Sequence, residues 1–252
     1  MHIDIESLER ATLDAVAPQQ TQELPGWLLP FDPSKIGRAT SAVPLMHCAM
    51  DAACVAEIEA RYAAHQLSAK FRVADVAGLT WLHSAMGQAG YAAQQPTLTQ
   101  VSTVAQVLGT AMPVTMTMTS VEISSTPTEA WKAVYVAPGF DAADGAQRVQ
   151  ALCRSTTVVY ASISDAQGPM AAGTASFSRG WASFHGMRTV PHARGRGLAR
   201  HILAELARAA QKLGLERAFL QVEEDNSNAV ALYHRLGFET AWCYHYWRKI
   251  CA

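Results

Sequence analysis

Three arginines and two glycines crowd together in the run Arg194-Gly195-Arg196-Gly197-Leu198-Ala199-Arg200. Gly195 and Gly197 leave no side chain where a ligand could approach the backbone. Leu198, Ile202, Leu206, Ala209 and Leu213 then recur at three- and four-residue steps, with Arg200, His201, Glu205, Arg208 and Lys212 on the other face. That spacing predicts an amphipathic helix that stops near Gly214. A helix start leaves N–H groups unpaired and carries a partial positive charge. With the added arginine charge, the stretch suits a phosphate or pyrophosphate. Further on, 221–226 (Gln-Val-Glu-Glu-Asp-Asn) ends a strand pattern. It is followed by Ala229, Leu232 and Tyr233 at helical spacing and by Leu236-Gly237-Phe238.

Several elements must position these residues. Strands are expected over 157–164, 170–178 and 181–189, the first pair joined by the turn signal 165–168 and the second by Arg179-Gly180. The last of these feeds the glycine loop. A strand over 218–223, a helix over 228–236 and a strand over 240–247 complete the second half. The first half reads as a helical start, breaks at Pro18, Pro25-Gly26 and Pro30, and a strand over 38–43. A helix over 51–65, a strand over 70–73, a helix over 79–88 and a strand over 98–107 follow. A strand over 115–123 and helices from Glu129 (capped by Thr128) and over 145–153 open the second half.

The halves resemble each other. A gapless shift of 147 positions lays Val43-Pro44 on Val190-Pro191, the 51–65 helix on the glycine-loop helix, and Gly90-Tyr91 on Gly237-Phe238. Where the second half has Arg194-Gly-Arg-Gly197, the first has His47-Cys-Ala-Met50, which predicts no phosphate site there.

Arg194-x-x-Gly197-x-Ala199, followed at the expected separation by Asn226-x-x-Ala229-x-x-Leu232-Tyr233-x-x-Leu236-Gly237-Phe238, resembles the paired motifs of the GNAT N-acetyltransferase superfamily. The resemblance covers roughly 115–250, and the first half is similar to the degenerate repeat of tandem members. It implies an α/β (α+β) fold of two GNAT-like mixed, mostly antiparallel sheets flanked by helices. The expected domains are a degenerate one over 1–112 and a catalytic one over 113–252. It also implies acetyl-coenzyme A as cosubstrate. The amides of Arg194, Gly195, Arg196, Gly197, Leu198 and Ala199 would hold its pyrophosphate. The strand positions Met187, Arg188 and Thr189 would pair with its pantetheine arm, and Asn226 would lie near that arm.

Tyr233 stands where the family often places the acid that protonates the departing thiolate. Many relatives carry a glutamate at the position of His185; histidine suits general-base work near neutral pH, and Glu223 is the second choice. The bland alternatives are a structural histidine, a solvated acid, a core tyrosine and a helix-capping Asn226. Trp131, Trp181, Trp242, Trp247, Tyr244 and Tyr246 read first as packing residues and second as an acceptor pocket.

With a net charge of −1, no bulk affinity for nucleic acid is expected. No apolar run reaches membrane-spanning length, and the five cysteines show no metal or disulfide pattern. The expectation is a cytoplasmic enzyme, without metal, that acetylates a small-molecule or peptide amine; a homodimer is compatible with it. The rival reading is a non-catalytic acyl-coenzyme A sensor that uses the first half to engage a partner.

Overall fold

The computed structural model describes residues 3–48, 53–110 and 120–250. The first half contributes α1 (Ile5–Val16), β1 (Gln20–Leu24), β2 (Trp27–Phe31), α2 (Gly37–Thr40), β3 (Val43–Pro44), α3 (Cys54–Ala64), β4 (Lys70–Ala74), α4 (Thr80–Gln88), β5 (Tyr91–Thr103) and α5 (Val104–Thr110). The second contributes β6 (Glu122–Ser124), α6 (Glu129–Tyr135), α7 (Ala142–Leu152), β7 (Val158–Asp165), β8 (Gly168–Ser178), β9 (Trp181–Thr189), α8 (Leu198–Lys212), β10 (Arg217–Glu223), α9 (Ser227–Arg235) and β11 (Glu239–Lys249).

Local chemistry accounts for the elements around the site. The two-residue turn between β8 and β9 needs left-handed backbone, and Arg179 and Gly180 supply it at φ 52° and 76°. Thr128 caps α6, its side chain accepting from the Trp131 N–H, and the Trp131 indole N–H donates to the Gly173 carbonyl at 3.1 Å. Helix α8 buries Ile202, Leu203, Leu206, Ala207 and Ala210 against the strands and leaves its charged face outward.

The described residues form two sheets. A small antiparallel one runs β1-β2-β3; a large mixed one runs β4-β11-β5-β10-β9-β8-β7-β6, and within it only β9 and β10 pair in parallel. The order shows a reciprocal exchange. The first half's last strand, β5, lies between β10 and β11, and the second half's last strand, β11, lies between β4 and β5. The halves repeat with the offset read from the sequence. Helices α4 (Thr80–Gln88) and α9 (Ser227–Arg235) begin and end 147 residues apart, and β4 and β10 begin 147 residues apart. Three apolar clusters form among the described residues, two of them large. One of the large two joins α5, α6 and α8 to β7–β9; the other buries Trp27, Ile58, Tyr62 and Phe71 of the first half against Trp181, Phe219 and Trp242 of the second.

Two first-half expectations change. Residues 38–43 form the single turn α2 and then β3, not one strand. The reason is tertiary: Ala39 and Thr40 turn into the core, and a Cβ on Gly37 would lie 2.5 Å from the Tyr246 ring. The strand expected over 98–107 ends at Thr103, whose side-chain oxygen accepts from the Gln106 N–H at 3.1 Å and starts α5. The 112/113 boundary, most of the 115–123 strand, and Ala49 and Met50 of the substituted loop lie outside the described residues.

Candidate active site

Strands β9 and β10 run together from Arg217↔Trp181 to Leu220↔Phe184 and then part. Beyond that point β9 still pairs with β8 on its other edge, through Arg188↔Ala172 and Thr189↔Ala171. Among the described residues, the edge of β9 that faces β10 is left without a ladder partner from His185 onward. The parting opens a cavity of about 330 Å³ lined by the ends of both strands.

A β-bulge sits at the fork. Gly186 and Met187 of β9 oppose the single residue Gly173 of β8. Gly186 takes φ +64°, and a Cβ there would lie 2.5 Å from the Tyr135 hydroxyl oxygen and 3.0 Å from Leu152. Only glycine meets both conditions. The Tyr135 hydroxyl donates to the Gly186 carbonyl and pins the bulge to α6. Met187 turns its side chain toward Gly173 and Ile202, under α8. On one wall of the cavity Arg188 donates to the Tyr135 carbonyl at 2.9 Å and to Asp144 at 3.3 Å, with its guanidinium over Phe140.

The β9 edge leads through Pro191–Ala193 into the glycine loop. Gly195 and Gly197 adopt φ +76° and +74°, and open space surrounds both. Gly197 is the N-cap of α8 and offers no side-chain cap, so the first N–H groups of this fifteen-residue helix face outward. Arg194 is exposed and reaches back to the Thr189 carbonyl; Arg196 touches the Met170 sulfur. Arg200 is engaged elsewhere, donating to the Thr110 carbonyl at the end of α5.

Tyr233, on α9, and Asn226, at its N-terminus, line the same cavity. The Asn226 side-chain oxygen accepts from the Ala229 N–H at 3.3 Å, so the capping reading holds for that atom and its amide nitrogen remains a donor. Tyr233 is 8% exposed, packs edge-on against Phe238, and burial pushes its phenol up to about 12. It carries its proton at every physiological pH.

His185 also lines the cavity but differs from its expectation. It is 5% exposed, and Nδ1 bonds to the Ser183 carbonyl at 3.1 Å, which makes Nδ1 the protonated nitrogen. Nε2 is buried without a partner among the described residues. Burial, reinforced by the nearby Arg38 charge, pushes the imidazole down to about 3. That shift from 6.5 makes protonation about 5 kcal/mol harder. His185 is a neutral hydrogen-bond acceptor, ill-suited to carrying off a proton. Glu223, at the end of β10, is held by Gln95, whose amide donates to it at 2.7 Å. Gln95 itself is the bulge residue of β5 at φ +54°, strained backbone placed at the cavity wall.

A family model described as "Probable histone acetyltransferase Rv0428c C-terminal" matches residues 3–247. The chain belongs to this family. It is a tandem member of the GNAT acyltransferases and has their mixed α/β fold. The model superposes on a GCN5-related N-acetyltransferase from Kribbella flavida with a TM-score of 0.69 at 14% identity, covering 98% of this chain and 96% of that one. It superposes on a tandem GNAT protein from the clavulanic acid biosynthesis pathway with a TM-score of 0.64 at 12% identity, covering 96% and 94%. A curated relative, the uncharacterized N-acetyltransferase YobR of Bacillus subtilis (strain 168), is 33% identical over 82 residues. That match spans 32% of this chain and about a third (33%) of the relative's length.

In this GNAT chain the structure gathers Tyr233, His185, Glu223, Met187, Arg188 and Asn226 around one cavity. Thr189 and the 194–199 loop continue from its edge. Sequence reasoning missed Gly186, Tyr135, Arg38 and Gln221. A glycine inside a strand was the available signal for the first; the others arrive by tertiary contact. Of the six aromatics singled out, Trp131 and Trp181 are wholly buried core, while Tyr244 and Tyr246 both pack in the core and line the cavity. Among the described residues no helix is long and apolar enough to cross a membrane, and no cluster of side chains is arranged to hold a metal ion.

Proposed function

We propose that this chain transfers an acetyl group from acetyl-coenzyme A to the amine of a small acceptor. One observation carries the reading: the unpaired edge of β9 leads from the Gly186 bulge, through the short turn Pro191–Ala193, to the uncapped start of α8. An extended amide chain ending in a pyrophosphate needs that sequence of features. The residues fit such a cosubstrate. The loop offers outward N–H groups, two glycines without a Cβ, and the Arg194 charge.

The bound cosubstrate supplies an activated acetyl thioester. The protein's own groups do the rest. Backbone N–H groups at the bulge offer fixed donors for the charge that gathers on a carbonyl oxygen. Tyr233 donates a hydrogen bond to the departing sulfur. With its phenol at about 12 against an ordinary thiol near 8.5, full proton transfer is uphill by about 5 kcal/mol, so hydrogen bonding is its larger contribution. His185 Nε2 orients the attacking amine by accepting from it. Glu223, held by Gln95 at the mouth of the cavity, receives the amine's proton and passes it to solvent.

Thiol release from acetyl-coenzyme A, followed across a panel of amines beside calorimetric titration with coenzyme A, tests the reading. Turnover on some amine supports it. Tight binding with no turnover on any amine would replace it with the acyl-coenzyme A sensor.

A further inference from the structure

The cavity has two walls of unequal charge. The cations of one wall are already matched: Arg148 pairs with Asp144 at 2.7 Å and Arg188 with the same carboxylate at 3.3 Å. The other wall is built by the first half and β11, and presents Lys35, Arg38 and Arg248. Among the described residues none of these three has a carboxylate within ion-pair distance. The cavity's own carboxylate, Glu223, is held by Gln95.

Arg38 is half-buried. It sits on α2, fixed because Gly37 lies flat against the Tyr246 ring. One of its five N–H groups donates to the Gln221 side-chain oxygen at 3.3 Å. The Gln221 amide nitrogen beside it is buried with no partner, and the Tyr244 and Tyr246 hydroxyls stand 3.4 Å from each other on the same wall. A half-buried guanidinium that bonds only Gln221 and has no carboxylate partner among the described residues keeps N–H donors to spare. A planar fork of N–H donors matches the two oxygens of a carboxylate.

We propose that the acceptor carries a carboxylate beside its amine, an amino acid or a short peptide with a free carboxyl, and that Arg38 binds that carboxylate with help from the Gln221 amide. This rests on the transferase reading above. The Arg38 fork matches one carboxylate, and about 330 Å³ is the low end for small-molecule sites. A basic protein such as a histone, the acceptor that the family description names for its own member, would meet like charge here.

Two measurements test it separately from turnover. Product-like N-acetyl-L-amino acids and their carboxamides are titrated against the wild type and Arg38→Gln by calorimetry, with coenzyme A affinity as the control for folding. We expect the free acids to bind the wild type at least tenfold more tightly than the carboxamides. Arg38→Gln should erase that preference, and Arg38→Lys should restore part of it. Equal binding of acids and carboxamides, or a preference unchanged in Arg38→Gln, would overturn the proposal. In the thiol-release assay, Arg38→Gln should raise KM for amino acids by about tenfold to a hundredfold, with a smaller effect on kcat and none on the KM of amino-acid amides. Faster turnover of a lysine-rich histone-tail peptide or of O-phosphoethanolamine than of any amino acid would also overturn it. Carboxylate binding that depends on Arg38, without turnover of any amine, would remove the transferase reading and leave only the carboxylate site at Arg38.

Discussion

His185 offers a quantitative test because its two chemical roles predict opposite pH behaviour. In the folded chain its imidazole sits at about 3, driven down first by burial and then by Arg38; in the unfolded chain it returns to 6.5. Above pH 6.5 it is neutral in both states and costs nothing. Below 6.5 the unfolded chain takes up a proton that the native state refuses, so stability falls as the pH falls, until about pH 3. The limiting slope from this one group is about 1.4 kcal/mol per pH unit, which integrates to about 2.7 kcal/mol between pH 7.5 and 4.5. His185→Gln removes the titration. The measurement is urea unfolding of both proteins at a series of pH values from 7.5 to 4.5. Because a glutamine also changes the packing, the difference in slope is the readout, not the difference in level. His47, pushed down to about 4 by burial, titrates in both proteins and cancels from the comparison. The stability gap between wild type and variant should shrink, or turn in the variant's favour, by about 2–3 kcal/mol across that range. Parallel curves would refute a buried neutral His185. The same reasoning predicts no inflection near pH 6.5 in wild-type kcat/KM with an acceptor amine of low pKa; a limb at that position would return His185 to the role of base.

Four other outcomes follow from the geometry. Tyr233→Phe keeps the ring against Phe238, so coenzyme A affinity should hold while turnover falls about a hundredfold; nearly full activity would make Tyr233 a core residue only. Gly186→Ala should lose at least 2 kcal/mol of stability, from left-handed backbone, a crowded Cβ and a disturbed Tyr135 hydrogen bond, and a urea midpoint equal to wild type would contradict the bulge. Gly197→Ala has open space for its methyl, so it should cost only about 1–2 kcal/mol of backbone strain while coenzyme A affinity drops tenfold or more; unchanged affinity by calorimetry would remove the loop from the site. Coenzyme A should bind once per chain, since the first half carries no glycine loop, and a stoichiometry of two would show a second working site.

Much of the second half was legible because its signals are local. Gly195 and Gly197 announce a helix start that lacks side-chain caps, the 198–213 apolar period announces the helix, and Arg179-Gly180 announces a tight turn; each is settled by a few neighbouring residues. Tyr233 and Asn226 were placed by motif spacing along one helix. What was not legible depends on partners distant in the chain. Arg38 meets Gln221 across 183 positions, and residues 38–43 carry a strand-like pattern that only the Tyr246 ring and the core overrule. The depressed imidazole of His185 is likewise a property of surroundings: the residue type pointed to a base, and burial beside Arg38 made it an acceptor. Alternation marks β5 and β11 as strands, but nothing in either says that each will pair with the other half.

That exchange of last strands has a consequence for how the chain can change over generations. A recombination event near its midpoint would not trade one independent module for another. The incoming half would have to supply a strand that fits between β10 and β11, and accept β11 against its own β4. The first half is therefore kept by pairing geometry even where it carries no glycine loop. Freed from that duty, it can vary at positions such as Lys35 and Arg38 while the loop before α8 stays constant. The two substrates of such an enzyme would be read by different copies of one ancestral unit, and a new acceptor could be acquired by mutating the copy that does not hold the pyrophosphate.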